Sequence, residues 1–386
     1  MGARIASGLA AHDGGVDAFA EAASRAQLGL GGAPADLVAV FAGAPNLDHV
    51  EEGLAAVEAR LGSRALMGCG AQGVLGAGRE LEHGGVVVWA ASLPEGEVES
   101  FHLDAVPAGE STIALSGMPV LDGADAMFML VDPYSFPHEP LLAQLAEDYP
   151  GLPVLGGVAS SGSGPGTGVL LHDDAVETTG AVGAVLRGVD IRPCVSQGAR
   201  PIGPEMVVTA AEDNVIHELA SRPALARLRE AIASLTDEDR MLAVNGLLLG
   251  IVIDENQPDY DRGDFLVRGL LDADEEAETV TVGEHIRVGQ TVRLHVRDGA
   301  SADADLREVL SDELRDLPAP PAGALLFTCN GRGTAMFHAP DHDASAVDEM
   351  FGGAPAAGFF CAGEIGPVGS RNFLHGFTAT VAVFPS

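Results

Sequence analysis

The sequence predicts an α/β fold of pseudo-repeated strand–helix–strand–hairpin units forming mixed sheets, with an antiparallel strand region inserted before the last unit. Three observations predict it. An apolar run, a helical stretch, a second apolar run, a glycine-rich turn and a further apolar run follow one another three times along the 386 residues. A strand–helix–strand step is the βαβ-type unit of α/β proteins. Between the second and third occurrences the pattern changes to short runs of β-branched alternation bounded by Gly and Asp, as in antiparallel strands.

The first unit opens on "ADLVAVFAG" (35–43), continues through an amphipathic stretch from Leu47 to Leu61, returns as "ALMGCGAQGVLGAG" (65–78) and closes on "GGVVVWAASL" (84–93). In the second unit the same order is "ADAMFMLVD" (124–132), a short helix around Glu139 to Glu147, "PVLGGVASSGSGPG" (153–166), then "GVLLHDD" and "GAVGAVLRG". Glycines after a strand permit positive φ or close approach of a ligand to the backbone. "SSGSGPGTG" is expected to form a loop over a pocket. Residues 196–232 read as a turn-rich lead-in, a strand, and a helix beginning near Asn214 and broken or restarted at Pro223. "LLLGIVID", "DFLVRGLL", "TVTVG" and "TVRLHVRDG" are the antiparallel strands, followed by an acidic helix (301–316) and the proline hinge "LPAPPAG" (317–323). The third unit is "GALLFTCNGRG" (323–333), a helix from Ser345 to Phe351, "AAGFFCAGEIGPVG" (356–369) and "HGFTATVAVF". The change from charged, helix-forming sequence to strands near Leu235 to Arg240 sets the expected domain boundary, dividing residues 1–235 from 236–386.

Composition narrows the function. The formal charge of −35 is spread along the chain and repels phosphate backbones and anionic lipid, so no nucleic-acid partner is expected. All 21 basic residues are Arg, which removes Schiff-base and Walker-lysine chemistry. Apolar runs such as Gly246 to Ile253 are far shorter than the roughly 18–20 residues that span a bilayer, and the first residues lack an apolar leader. No membrane association is expected, and a cytoplasmic location is. The four cysteines, Cys69, Cys194, Cys329 and Cys361, have no paired spacing and read as reduced thiols.

"LFTCNGRG" carries the candidate site: Cys329, Asn330, Gly331, Arg332 and Gly333. Gly331 and Gly333 permit a turn whose N–H groups converge on an anion, and a guanidinium beside it grips a carboxylate in a bidentate fork. The repeat places the Glu364 strand end beside the Cys329 strand end, so Glu364 receives the amine of an amino acid while Arg332 receives its carboxylate, with Asn330 and Asn372 fixing orientation. The competing account pairs Arg332 with Glu364 as a tie between two loops. Cys329 as a nucleophile needs a base, for which His338, His342 and His375 are close in sequence; as a packing residue it needs nothing. Cys69 and Cys361 read as packing residues. "HAPDHD" (338–343) matches no standard metal-ligand spacing and leads into a helix for which Asp341 or Asp343 is the N-cap, so no metal is expected. "GCGAQGVLGAG" and "GGVASSGSGPG" do not keep the dinucleotide fingerprint in step with an opening helix, and no cofactor is expected.

"MGCGAQGVLG", "SQGARPIGP", "FLVRGLL", "VGQTVRLHVRDGASADADL", "LFTCNGRG", "FGGAPAAGFFCAGEIGPVG" and "NFLHGFTATVAVF" together resemble the FIST family, the F-box and intracellular signal transduction domain, from about Ala35 to Phe384. The resemblance implies a FIST N-terminal domain over 1–235 and a FIST C-terminal domain over 236–386. It also implies a sensory module that binds small ligands, amino acids among them, in signal transduction. No F-box precedes Ala35 and no length remains for a kinase, cyclase or chemoreceptor output, so the expected form is the stand-alone bacterial type, acting through a signalling partner. The alternatives carried forward are a cysteine-dependent enzyme using Cys329 in acyl or amide chemistry and a protein-interaction scaffold.

Overall fold

The computed structural model describes residues 2–107, 113–260 and 262–386. They form two compact units, residues 1–195 with 306–386, and residues 196–305. The first unit contains three repeats. The first repeat comprises β1 (Arg4–Ala10), α1 (Val16–Leu30), β2 (Leu37–Gly43), α2 (Val50–Leu61), β3 (Ala65–Ala71), the hairpin β4 (Val74–Gly76) and β5 (Arg79–Leu81), and β6 (Val86–Ser92). The second comprises β7 (Glu97–Pro107), β8 (Ile113–Ser116), β9 (Ala126–Val131), α3 (His138–Asp148), β10 (Val154–Val158), the hairpin β11 (Leu170–His172) and β12 (Ala175–Glu177), and β13 (Ala181–Arg187).

The third repeat opens with β14 (Arg192–Ser196), and the second unit is inserted after it. That unit holds β15 (Ala199–Glu212), β16 (Val215–Leu219), β17 (Arg222–Pro223), α4 (Ala224–Ala233), α5 (Asp237–Asn245), β18 (Leu247–Val252), β19 (Phe265–Asp274), β20 (Thr279–Val282) and β21 (Thr291–Arg297). The chain then runs through α6 (Gly299–Arg315) to β22 (Gly323–Cys329), α7 (Thr334–Phe337), α8 (His342–Met350), β23 (Ala356–Cys361), the hairpin β24 (Glu364–Val368) and β25 (Arg371–His375), and β26 (Ala379–Phe384).

In each repeat the two central strands are parallel: β2 with β3, β9 with β10, β22 with β23. The hairpin that follows does not extend its own sheet. β4 and β5 extend the third repeat at β23, β24 and β25 extend the second at β10, and β11 and β12 extend the first at β3. Each repeat lends a hairpin to one neighbour and borrows one from the other, so the three sheets close into a cycle with pseudo-threefold symmetry.

Strands covered on both faces read as continuous apolar runs, and β2, β6 and β9 are buried at every position. One face of all three sheets meets in a shared aromatic core, where Phe41 stacks on Phe359 (ring centres 4.8 Å) and meets Phe327 edge-on (6.4 Å). The outer faces are packed by α1 and α2, by α3, and by α6 and α8. Side-chain absence is a packing requirement at Gly358, where a Cβ would lie 1.6 Å from the Leu326 carbonyl oxygen.

The second unit is the inserted antiparallel region, with its own core around Val208, Ile216, Leu249, Val292 and Leu294. Its strands run β15-β21-β18-β19-β20-β16-β17, and the additional pairing of β16 with β15 closes them into a barrel. The helix expected from Asn214 is here a strand. Val215 and Ile216 pair with β20, and Ile216 and Leu219 are buried. The helix starts only at Ala224, after Pro223. Sequence reasoning did not find β1, α1 or β7, whose Ala- and Gly-rich or charge-interrupted runs carry weak periodicity. Compactness divides the chain by contact and not by order along it. The division at 235/236 therefore describes a different property, and stands as a proposal about sequence modules. Among the described residues no helix is long and apolar enough to cross a membrane.

Candidate functional site

β22 ends at Cys329, directly paired with Cys361 on β23. The backbone then turns: the Arg332 N–H donates to the Cys329 carbonyl (2.9 Å), and the Asn330 N–H to the Cys361 carbonyl (2.9 Å). Gly331 lies beneath the Phe377 ring, whose carbons would be 2.4 Å from a Cβ there. Phe377 itself is 44% exposed and sits at φ 62°, a conformation that a bulky side chain adopts only under constraint.

Arg332 turns inward. Its Nε donates to Asp343 Oδ2 (2.6 Å) and its Nη2 to Oδ1 (2.8 Å), and its guanidinium carbon lies 5.0 Å from the Phe337 ring centre. Thr328 Oγ1 also donates to Asp343 Oδ2 (2.6 Å), and His342 Nδ1 is 2.9 Å from Oδ1. Burial raises the Asp343 carboxyl, but the Arg332 charge and these hydrogen bonds outweigh it and hold the group well below the usual carboxylate range. Two of the three guanidinium nitrogens of Arg332 are thus engaged by Asp343, and the Arg332 charge also favours the ionised form of Glu364. A buried cation needs a partner at once, and Asp343, placed by α8, supplies it. Gly333, at φ 67°, leads away toward Glu82, which accepts from the Thr334 N–H (2.7 Å).

The N-terminus of α8 is capped from another repeat. Glu80 Oε1 accepts from the Asp343 and Ala344 N–H groups (2.8 and 3.0 Å), the task expected of Asp341 or Asp343. Asp341 occupies the N-cap position in a left-handed conformation and accepts instead from the Glu80 N–H (2.6 Å). Burial, and then the Asp343 charge, push the Glu80 carboxyl up to about 7.

Glu364, the first residue of β24, is fully buried. Its Oε2 accepts from the Thr378 N–H (3.0 Å) and Thr378 Oγ1 (2.7 Å), while Oε1 has no hydrogen-bond partner among the described residues. Burial pushes this carboxyl up to about 8, against the Thr378 hydrogen bonds, so the neutral acid predominates at pH 7. The Cys329 thiol adjoins it. Burial and then the Glu364 charge push that thiol up to about 12, although the Gly331 and Phe377 N–H groups point at the sulfur. One N–H of the turn expected to hold an external anion, that of Gly331, thus points at the protein's own sulfur. This environment opposes formation of a thiolate nucleophile. Asn330 Oδ1 at the same strand end is also buried without a hydrogen-bond partner among the described residues.

The structure therefore brings Cys329, Gly331 and Glu364 together with Thr378, which sequence reasoning missed because "FTATVAVF" reads as plain strand. Asn330 stays at that strand end, and Arg332 and Gly333 face other partners. Asn372 lies apart: its side-chain amide bridges the Val154 N–H and the Leu152 carbonyl (both 2.8 Å), fastening β25 to the start of β10. At this end the three repeats meet in one hydroxyl, for Ser160 Oγ accepts from the Gln72 N–H (2.8 Å) and donates to the Phe360 carbonyl (2.5 Å).

Comparison with known proteins places this geometry in context. The model of the FIST N domain matches residues 36–222, and that of the FIST C domain residues 224–367. An uncharacterised protein of Mycobacterium tuberculosis (strain ATCC 25618 / H37Rv) is 45% identical over 368 residues, covering 95% of this chain and 96% of its own. One of Mycobacterium bovis is 42% identical over 382 residues, 99% of this chain and 98% of its own. An F-box/LRR-repeat protein of Arabidopsis thaliana is 31% identical over 106 residues, 26% of this chain and 20% of its own length.

Proposed function

This chain belongs to the FIST family, through both its N and its C domain, and from that premise we propose that it is a cytoplasmic sensory protein whose third repeat binds a small polar ligand and reports its occupancy to a signalling partner. FIST domains are associated with sensory roles in signal transduction. One observation carries the ligand reading: a fully buried carboxyl, Glu364, held by Thr378 and by the Cys329 thiol, has one oxygen with no nitrogen or oxygen partner among the described residues, at the strand end where Asn330 Oδ1 has none either. Buried polar atoms are nearly always satisfied, so two such atoms at one strand end mark where an outside group is accommodated.

The protonation of Glu364 fixes the chemistry of that group. With Oε2 accepting two hydrogen bonds, the proton resides on Oε1, which then donates to an oxygen of the ligand. An amino acid or a small carboxylate offers such an oxygen. In this reading Arg332, bound to Asp343 through two nitrogens, positions the loop.

Thermal-shift measurements against amino acids, small amides and small carboxylates test this reading. At a hundredfold excess over Kd a ligand stabilises by about 2.7 kcal/mol, several degrees for a chain of this size. The upward shift should diminish as pH rises through about 8, where Glu364 loses its proton, and Glu364→Gln should remove that pH dependence. No shift at saturating concentration of any member of the panel, or a wild-type shift that is constant from pH 6 to pH 9, rejects the reading.

A further inference from the structure

On one rim of the first sheet β1, β2 and β3 begin and β6 ends. Polar side chains stand there in line. Arg4 pairs with Ser92 across β1 and β6. Asp36 immediately precedes β2, where its N–H donates to the Ala91 carbonyl (2.8 Å), and Arg64 immediately precedes β3, where its N–H donates to the Ala35 carbonyl (3.1 Å). Leu37 is level with both Ala91 and Ala65, so Arg4, Ser92, Asp36 and Arg64 follow one another across four neighbouring strands. The residues two positions further in, Ala6, Ala90, Val38 and Leu66, belong to the core beneath α1 and α2. By alternation the four side chains stand on that same face.

These four residues line one cavity of about 700 Å³, a size proper to small-molecule sites, whose other walls are the loop between α1 and β2 and the turn after β6. Arg4 is held at one end of it. Its Nη2 donates to the Gly29 carbonyl (3.3 Å) at the close of α1, and Nη2 lies 2.5 Å from where a Cβ on Gly31 would stand. This contact uses one nitrogen, and Arg4 forms no ion pair with a described residue. Arg64 is held at the other end, with Nη1 3.8 Å from Asp36 Oδ1 and its side chain 64% exposed, while Asp36 Oδ2 accepts from the Leu93 N–H (2.7 Å). In a chain of 56 acidic residues and 21 arginines a guanidinium readily finds a close carboxylate, as Arg200 does at 2.6 Å and Arg268 at 2.9 Å. Arg4 and Arg64 have none so close, and they border the same cavity.

We propose that this cavity is a ligand site, apart from that at Glu364, which takes a small linear dicarboxylate with one carboxylate in the fork of Arg4 and the other in the fork of Arg64. A guanidinium matches a carboxylate through two parallel N–H donors. The two backbones lie three strand spacings apart, roughly 14 Å at about 4.8 Å per step. One guanidinium is anchored over the end of α1 and the other beside Asp36, so two separated carboxylates suit them and one compact anion does not. Asp36 repels a negative group from the middle of the row, which selects an uncharged link between the two carboxylates. The charge of −35 repels anions from the molecule as a whole, so dicarboxylate binding reports this local pair of cations.

Calorimetric titration of the full chain with succinate, glutarate and adipate, at constant ionic strength in NaCl, tests the proposal, with butyrate and inorganic phosphate as single-carboxylate and compact-anion controls. At least one dicarboxylate should bind, at least roughly tenfold more tightly than either control. Arg4→Gln and Arg64→Gln should each weaken it at least roughly tenfold, as expected for loss of a charge-assisted pair of hydrogen bonds. Both arginines are exposed, so the variants should keep the melting temperature of the unliganded protein; Arg64→Gln remains the test if loss of the Gly29 contact unfolds Arg4→Gln. Dicarboxylate binding kept in Glu364→Gln belongs to this cavity and is independent of the function proposed above, whereas binding lost in Glu364→Gln and kept in both arginine variants belongs to that function and overturns this proposal. Absence of binding by all three dicarboxylates, equal binding of butyrate or phosphate, or binding indifferent to either folded arginine variant overturns it as well.

Discussion

Glu364 and Glu80 are two carboxyls that burial pushes up to about 8 and about 7, and both leave a pH signature on stability. In each case the folded protein holds a proton that the unfolded chain, titrating near 4.5, gives up. Their contribution is therefore fully present below about pH 4.5 and is lost as pH rises through 7 to 8. His295 in the second unit acts with the opposite sense. Burial lowers it from 6.5 to about 4, so its contribution is present above pH 6.5 and is lost as pH falls toward 4. Chemical denaturation from pH 5 to pH 9 should show stability declining on the alkaline side, with a smaller decline in Glu364→Gln; an identical slope in that variant contradicts the assignment. The Arg332–Asp343 pair calls for a different measurement. Removal of one partner from a buried pair costs about 3–5 kcal/mol, so Arg332→Ala should lower the midpoint of urea unfolding sharply, whereas a surface pair such as Arg315–Asp312 should contribute less than about 1 kcal/mol.

Helix α8 depends on a hairpin donated from more than 260 positions earlier in the chain, since Glu80 meets its first turn. Loss of an N-terminal cap costs about 1 kcal/mol, and here it also frees buried N–H groups. Glu80→Ala should therefore speed hydrogen exchange of the Asp343 and Ala344 amides selectively, and Glu80→Gln should restore most of the protection; uniform exchange across the first unit in Glu80→Ala would exclude a local capping role. This contact marks the limit of what the sequence discloses. The three units were legible because strand, helix, strand and glycine turn each leave a local pattern, and the Cys329 strand end could be placed beside Glu364 by aligning the repeats. Which sheet a hairpin joins leaves no local pattern, so the exchange between repeats was not legible. The partner of Arg332 was hidden for a related reason: "HAPDHD" looks like a cap or a metal patch, and nothing in its spacing shows that Asp343 faces the turn after β22. Val215 to Leu219 looked helical because His217 and Glu218 interrupt an alternation too short to dominate its neighbourhood.

The cyclic exchange of hairpins makes the first unit a single cooperative body. A fragment ending at residue 222 retains the first two repeats but leaves β4 without β23 and β10 without β24. Such a fragment should show no cooperative thermal transition, and a folded, monomeric fragment with dispersed NMR signals would refute the interdependence. The inserted unit is expected to be dispensable for folding. Its two ends are tied together, with Ser196 Oγ donating to Asp305 Oδ2 (2.7 Å) and the Gly198 N–H donating to the same oxygen (3.0 Å). Replacement of residues 199–303 by a short Gly-Ser linker should leave a chain that still unfolds cooperatively by calorimetry; loss of the transition would show that the insertion is required. The same cycle bears on how the protein is made. On the ribosome β4 and β5 emerge roughly 280 residues before the strand they join, which at about 5–20 residues per second is on the order of 15–60 s. Throughout that interval the nascent chain presents unpaired strand edges, the feature that invites association with other chains. A premature stop anywhere before β24 and β25 leaves such edges exposed for good, so the codons for that one hairpin decide whether everything translated before them can close.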